Sequence, residues 1–576
     1  MKKSLSKKLQ EKMNVAKPAP HVVVEALAGT GKTFTLIMGV GWAFAQDRWD
    51  EIQLRFAEDK DIKHAAKFCI EPSPEQQQVW EAMAQSENTK TIVYSAFNKS
   101  IVREFEQDWS WLVEILAEEG ITLQFATVNS LGHRATCNAL SIHKVCAWRT
   151  ENLLAEELGY DSTWKMKREH PVLTKAVCAI IDLCKLTLAG WVESAGFNTN
   201  WITAGELDRI CSHYEIELNG LRDRIYELVP QILQASAEPT TEIDFNDQNW
   251  LPIILDLPVP RVDLLLIDES QDLCRCKQEF SRKLGRRIIL VGDKNQAIYG
   301  FAGADTESIP RMKQLLAPLG SKEPLPSLYL TETRRCGKTI VAEAQRIVPE
   351  YQAHATNCEG TITHSIMDKY IDLIEDGDMA LCRINAPLVS QVLRLLKDGR
   401  KAIIRGRDFG SQLVKFVERA NTSLTSSLLE WLDNWAQTEE DKEYRQRNPN
   451  EARLIAIQDR RDCILAFCED ARTVEKVIGR INLVFAGKIC PICNFRHTEE
   501  KIECPKCKIP LTMPEGIIFS SIHRAKGMEA SRIFLLEPPG ATIPHPLAKT
   551  RWQLQQERNC RYIAITRGVK ELVYVS

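Results

Sequence analysis

The 576-residue chain has no run of 18 consecutive apolar residues, which excludes reading any segment as a membrane-spanning helix. It has no excess of one charge either: 74 Lys and Arg against 77 Asp and Glu leave a formal net charge of −3. No global basic field therefore announces a polyanionic partner, and any such site must be a local groove. The opening MKKSLSKKLQEKM is basic but lacks the apolar core of a secretory signal. Internal repeats and long low-complexity tracts are absent. The eighteen cysteines lack the spacing of an extracellular disulfide scaffold, apart from one dense cluster, so a reduced, intracellular and cytoplasmic setting is expected.

What is present is the composition of a globular protein, 44% hydrophobic and 26% charged. One hydrophobic core rarely serves more than about 250–300 residues, so several domains are predicted. Two stretches alternate short β-branched runs with helical pattern, as parallel strands buried on both faces do. The first comprises His21–Val24, Thr91–Tyr94, Asp263–Ile267 and Ile288–Val291. The second comprises Ser327–Leu330, Met379–Cys382, Ala402–Ile404, Gly516–Ser520, Ile533–Leu536 and Leu572–Val575. Between them, residues 130–260 have helical periodicity, with Val177, Ile180, Ile181, Cys184 and Leu188 on one face. Residues 422–514 form a charge-rich helical stretch that leads into the cysteine cluster.

The strand ending at Glu25 runs into Ala26-Leu27-Ala28-Gly29-Thr30-Gly31-Lys32-Thr33. Glycines let successive backbone N–H groups curl toward a phosphate at the start of a helix. Lys32 is placed to meet the β- and γ-phosphates and Thr33 to ligate Mg²⁺. The usual first glycine is Ala26, and the competing reading is a plain strand-to-helix turn. Farther on, the apolar run Leu264–Ile267 ends in Asp268-Glu269-Ser270-Gln271-Asp272. A strand ending in two carboxylates suits metal-assisted phosphoryl transfer, with Asp268 on Mg²⁺ and Glu269 orienting or deprotonating water.

Together with Val291–Ala304, which reads VGDKNQAIYGFAGA, this segment resembles motifs II and III of the UvrD/Rep helicases of superfamily 1. Tyr94–Lys99 resembles motif Ia, Ala126–Gly132 motif Ib, Ser521–Glu529 motif V and Gln556–Arg567 motif VI. The order is that of the family, and the matches run from Ala26 to Arg567. The resemblance implies that Gln296 senses the γ-phosphate and that Arg335 and Arg567 reach it from the second domain. It also implies that Glu529 touches the nucleotide sugar. Such guanidinium groups stabilise transition-state charge and make domain closure conditional on ATP. For single-stranded DNA it implies contacts from Phe97, Asn98, Thr127, Tyr299, Phe301 and His523. Aromatic faces there stack on any base, although a buried aromatic, or a core or capping histidine, is the competing reading.

Three positions depart from the family pattern. Arg334 stands where a tyrosine usually stacks on adenine, and Ala302 replaces the arginine of motif III. The Q-motif glutamine is either Gln10 or Gln76, the latter in Pro72-Ser73-Pro74-Glu75-Gln76. The cysteine cluster needs no family analogy. Cys490-Pro-Ile-Cys493 and Cys504-Pro-Lys-Cys507 are two tight turns that together offer four thiolates, a tetrahedral set suited to structural Zn²⁺. An Fe–S centre is the alternative, and His497 a substitute ligand. Cys178 and Cys184 read as apolar core residues.

The predicted fold class is α/β: two RecA-like P-loop domains with helical insertions and a small zinc-binding insertion. The first domain takes 1–129 and 261–325, and its helical insertion 130–260. The second takes 326–421 and 515–576, and its accessory insertion 422–514 holds the cluster at 490–507. The expected activity is an ATP- and Mg²⁺-dependent DNA helicase moving 3′→5′ along single-stranded DNA toward a fork. It would serve replication, repair or recombination, with replication or repair proteins as partners and no membrane. The alternatives are a translocase that strips proteins with little unwinding, a non-catalytic DNA-binding scaffold, and an RNA substrate.

Overall fold

The computed structural model describes all residues except 1–20, 59–71, 87, 97–98, 215, 217, 219, 240, 299–306, 319–320, 446–450, 486–503, 505 and 509–515. The chain divides by contact into two compact units. One holds Met1–Ala26, Gly31–Lys294 and Tyr299–Leu330; the other holds Leu27–Thr30, Asn295–Ile298 and Thr331–Ser576.

The first unit is built on six parallel strands: β1 (Val22–Ala26), β2 (Thr91–Ser95), β3 (Thr122–Ala126), β4 (Val262–Ile267), β5 (Gly285–Gly292) and β6 (Ser327–Leu330). Their order across the sheet is β6-β1-β5-β4-β2-β3. Both faces are covered, as parallel sheets require. Val24, Ile92, Leu264 and Leu266 join one apolar cluster with Leu36, Ile37 and Trp80. Their strand neighbours Val23, Val93, Leu265 and Ile267 join another, with Val177, Ile180, Ile232 and Trp250 of the helical segment. The period-2 alternation of side chains thus sends each strand's residues into two cores. The helix Pro171–Thr187 buries Val177, Ile180, Ile181 and Cys184 on one face, as its sequence spacing predicts, while Cys178 is only partly buried.

That helical layer also encloses charge. Lys185, fully buried, lies 2.5 Å from Asp244 and 2.8 Å from Asp247, and Arg149 pairs with Asp247 at 2.7 Å. Buried charges persist only when paired in this way.

The second unit holds six more parallel strands: β7 (Thr361–Ser365), β8 (Met379–Cys382), β9 (Ala402–Ile404), β10 (Ile517–Ser521), β11 (Ala530–Leu536) and β12 (Gly568–Val575). Their order is β7-β12-β11-β8-β10-β9. The helices Thr425–Tyr444, Glu451–Cys468 and Val474–Val484 contribute Leu428, Ile464, Phe467 and Ile481 to the same cluster as Ala380, Phe519 and Phe534 of the sheet. They share the sheet's core, although their segment reads in the sequence as a separate insertion.

Two strand expectations need correction. Ser327–Leu330, expected in the second stretch, pairs with β1 and forms an edge of the first sheet. Thr122–Ala126 and Thr361–Ser365, which neither expected stretch includes, are strands that pair with β2 and β12.

Candidate functional site

Strand β1 is apolar because it is buried on both faces, and it delivers the chain to Leu27–Thr30 at its carboxyl end. Gly29 and Gly31 have φ of 68° and 80°, a region closed to most side chains, which lets the loop reverse before the helix Lys32–Phe44 (α1) begins. Thr33, in the first turn of α1, donates from Oγ1 to Asp268 Oδ2 at 2.8 Å. Asp268 directly follows β4, and its backbone N–H donates to the Ser95 carbonyl at the end of β2.

The Asp268 carboxylate is held from several sides. Tyr94 donates to Oδ2 at 2.6 Å, and the Glu269 N–H donates to Oδ1 at 2.8 Å. Burial pushes the Asp268 carboxyl above the usual carboxylate range, and the neighbouring charge of Glu269 adds to the shift. The Tyr94 hydrogen bond and the charge of Lys32 oppose it. Glu269 adopts a left-handed conformation, with φ of 52°. Gln271 donates from Nε2 to Glu269 Oε2 at 2.5 Å and accepts the Asp293 N–H on Oε1 at 2.9 Å, so one amide spans the ends of β4 and β5. Gly292 lies so close to this amide that a Cβ there would stand 2.8 Å from Gln271 Oε1. The structure therefore groups Thr33, Asp268 and Glu269, with Lys32 close enough to act on Asp268 through its charge.

In the second unit, the Leu27–Thr30 segment is bonded through its backbone. The Ala28 N–H donates to the Tyr562 hydroxyl at 3.0 Å, the Tyr351 hydroxyl donates to the Ala28 carbonyl at 2.9 Å, and the Arg334 N–H donates to the Gly29 carbonyl at 3.1 Å. A Cβ on Gly29 would stand 2.6 Å from the Arg335 Cβ, so only glycine fits. Arg335 pairs with Glu529 at 2.6 Å. Arg567 is buried and donates to the Met528 and Ile563 carbonyls at 3.2 Å each. Arg335, Glu529 and Arg567, expected at the nucleotide, are thus neighbours. Gln296 is buried in the turn Lys294–Gln296 that follows β5.

Of the expected DNA contacts, Phe97, Asn98, Tyr299 and Phe301 lie outside the described residues, as do Ala302 and Gln10. Thr127 caps the helix Val128–Leu140: its Oγ1 accepts the Ser130 N–H at 3.1 Å. It lines a cavity of about 240 Å³ with Ser95, Lys99, Asn129, Asp268 and Glu269. His523 is held neutral, its pKa pushed down to about 3 by burial and then by the Arg383 guanidinium. It therefore offers no positive charge to a phosphate at neutral pH. Gln76 completes a capping box with Ser73, accepting the Ser73 N–H at 2.9 Å.

Cys490, Cys493 and His497 lie outside the described residues, and among the described residues no cluster of three or more His, Cys, Asp and Glu could hold a metal ion. Cys504 and Cys507 are described. The Cys507 N–H points at Cys504 Sγ, 3.4 Å away, and the Lys508 N–H donates to the Cys504 carbonyl at 2.8 Å, with Lys508 at φ of 56°.

Sequence reasoning gave no role to Tyr94 or Gln271. Tyr94 reads as one more apolar strand residue, and Gln271 as part of an acidic turn; their partners are 174 and 22 residues away.

A family model described as the UvrD/REP helicase N-terminal domain matches residues 223–317, which include Asp268, Glu269, Gln271 and Gln296. One described as the UvrD-like helicase C-terminal domain matches residues 506–576, which include Glu529, Tyr562 and Arg567. The F-box DNA helicase protein 1 of Schizosaccharomyces pombe (strain 972 / ATCC 24843) is 22% identical over 333 residues, 54% of this chain and 34% of that protein. The chain thus spans about a third of that relative's length. These matches make two separate segments of the chain similar to the N- and C-terminal domains of UvrD-type helicases. Among the described residues, no helix is long and apolar enough to cross a membrane.

Proposed function

We propose that this chain is an ATP-driven DNA helicase that moves 3′→5′ along single-stranded DNA toward a fork. The observation that carries the reading is the 2.8 Å bond from Thr33, in the first turn after the glycine loop, to Asp268 at the end of β4. A hydroxyl and a carboxylate brought together beside Lys32 are hard oxygen donors suited to Mg²⁺, which when bound would neutralise charge on the β- and γ-phosphates. Lys32 binds the same phosphates. Glu269 takes the proton of the attacking water, and Gln271 fixes the carboxylate for that task. Arg335 and Arg567 supply positive charge to the γ-phosphate, and Glu529 orients Arg335 and meets the sugar. Arg334 offers its guanidinium plane to the base.

Purified Lys32→Ala and Glu269→Gln variants should keep the wild-type fold by circular dichroism and lose single-strand-stimulated turnover. Wild-type turnover in either would refute the site. A duplex with a 3′ tail should open and one with only a 5′ tail should not; the reverse preference would overturn the polarity, which rests on the Gln296-Ala297-Ile298 and Ala525–Glu529 segments.

The same reading gives the second unit a structural zinc held by Cys490, Cys493, Cys504 and Cys507. Its support is spacing together with the Cys507 N–H, which aims at the Cys504 sulfur as in a metal-binding knuckle. Elemental analysis of fresh protein should find one zinc per chain. Finding no metal would refute the assignment, and iron with visible absorbance would replace it with a cluster.

A further inference from the structure

Tyr94 sits opposite Leu266 in the β2–β4 ladder, and Asp268 lies two residues beyond Leu266. Residues two apart share a face of the sheet, so the phenol and the carboxylate meet at its carboxyl end. The ring needs no hydroxyl to pack: it is fully buried, edge-on to Phe105 at 5.3 Å and tilted against Phe125 at 5.7 Å. Yet the hydroxyl reaches Asp268 Oδ2 at 2.6 Å, the oxygen that also receives Thr33 Oγ1. The other oxygen is tied to the Glu269 N–H. Of these three donors, Thr33 is the one the proposed function asks to engage the metal. The Glu269 N–H belongs to the same turn as the carboxylate and moves with it. Tyr94 alone is anchored in the rigid sheet, independent of nucleotide and turn.

We propose that Tyr94 is a positioning residue, whose hydroxyl fixes the Asp268 carboxylate so that the divalent ion of the nucleotide complex finds a preformed ligand. This rests on the proposed ATP site. Groups that orient a metal ligand without touching the metal typically govern affinity by about 10–100-fold, and an effect of that size is expected here.

The test is Tyr94→Phe in the full chain, which keeps the ring and removes only the hydroxyl. The primary readout is Mn²⁺ binding in the presence of ADP, followed by electron paramagnetic resonance. The second is affinity for a fluorescent ADP analogue with Mg²⁺ or with a chelator. Tyr94→Phe should weaken metal binding by about 10–100-fold, leave metal-free nucleotide affinity unchanged, and recover turnover as Mg²⁺ is raised. Phe105→Leu, which loosens the aromatic packing but spares the hydroxyl, should lower the melting temperature without moving metal affinity. A metal affinity within about twofold of wild type in Tyr94→Phe overturns the proposal, and so does an equal loss in Phe105→Leu. If wild-type protein itself shows no metal-dependent nucleotide binding, the ATP-site reading fails instead, so the two failures are distinguishable.

Discussion

Replacing Gln271 with glutamate tests whether its amide governs Glu269, the carboxylate proposed as the base. In the wild type, Nε2 donates to Glu269 and, at 3.4 Å, to Asp272, and Oε1 accepts from the Asp293 N–H. Gln271→Glu keeps the acceptor, so the backbone link to Asp293 survives, but it sets a second carboxylate where the donor stood. If the pair relaxes from 2.5 Å to about 4 Å, two unit charges repel by about 4 kcal/mol at an effective dielectric constant of about 20. At about 1.4 kcal/mol per pH unit that is about three units, and solvent around the half-buried Glu269 trims it to about two or three. The pair then holds a shared proton to higher pH than wild type does, and the shared proton disables the base. Single-strand-stimulated turnover, measured from about pH 6 to about pH 9, should show its acid limb displaced upward by about two to three units relative to wild type. The variant should approach wild-type rates at the alkaline end. An unmoved acid limb in a variant that folds normally would refute the reasoning, as would a loss of equal size at every pH.

Other perturbations have comparably definite outcomes. Lys185→Met leaves Asp244 and Asp247 buried without their ammonium partner, so denaturant unfolding should show a loss of about 3–5 kcal/mol; a loss below about 1 kcal/mol would mean the cluster relaxes into water. His523, held near 3 in the folded chain, takes up its proton only on unfolding as pH drops below about 6.5. It therefore removes stability on acidification, and His523→Gln should lose less melting temperature than wild type between about pH 7 and pH 5; an identical loss would contradict the burial of this ring. Arg567→Ala should lower turnover by about 10³-fold with a much smaller loss of ATP affinity, whereas turnover within threefold of wild type would remove Arg567 from the γ-phosphate.

Much of the architecture is legible in the chain because local pattern encodes it. The β-branched run before Gly29, the apolar run before Asp268 and the helical spacing of Val177–Cys184 each require burial of particular faces, and the faces are buried as the patterns demand. The glycine loop is legible for a related reason: its sharp reversal between strand and helix takes Gly29 and Gly31 in left-handed conformations, and no other residue type takes those angles at so little strain.

Tertiary structure decided what depends on partners far along the chain. Ser327–Leu330 could join either sheet by composition; its pairing with β1, some 300 residues earlier, settles the matter. Thr361–Ser365 is a largely exposed edge strand, so it carries no apolar signature to read. Only the folded chain shows that the Thr127 hydroxyl caps a helix while the residue lines a cavity beside Asp268 and Glu269. Tyr94 and Gln271 are the sharpest cases. A tyrosine in a strand and a glutamine in a turn are unremarkable by themselves, and each acquires its role from a carboxylate that long-range strand pairing or a tight turn brings within hydrogen-bond reach. Sequence fixes which chemistries are affordable at each position through size, charge and backbone freedom; the pairing of distant strands decides which of them meet.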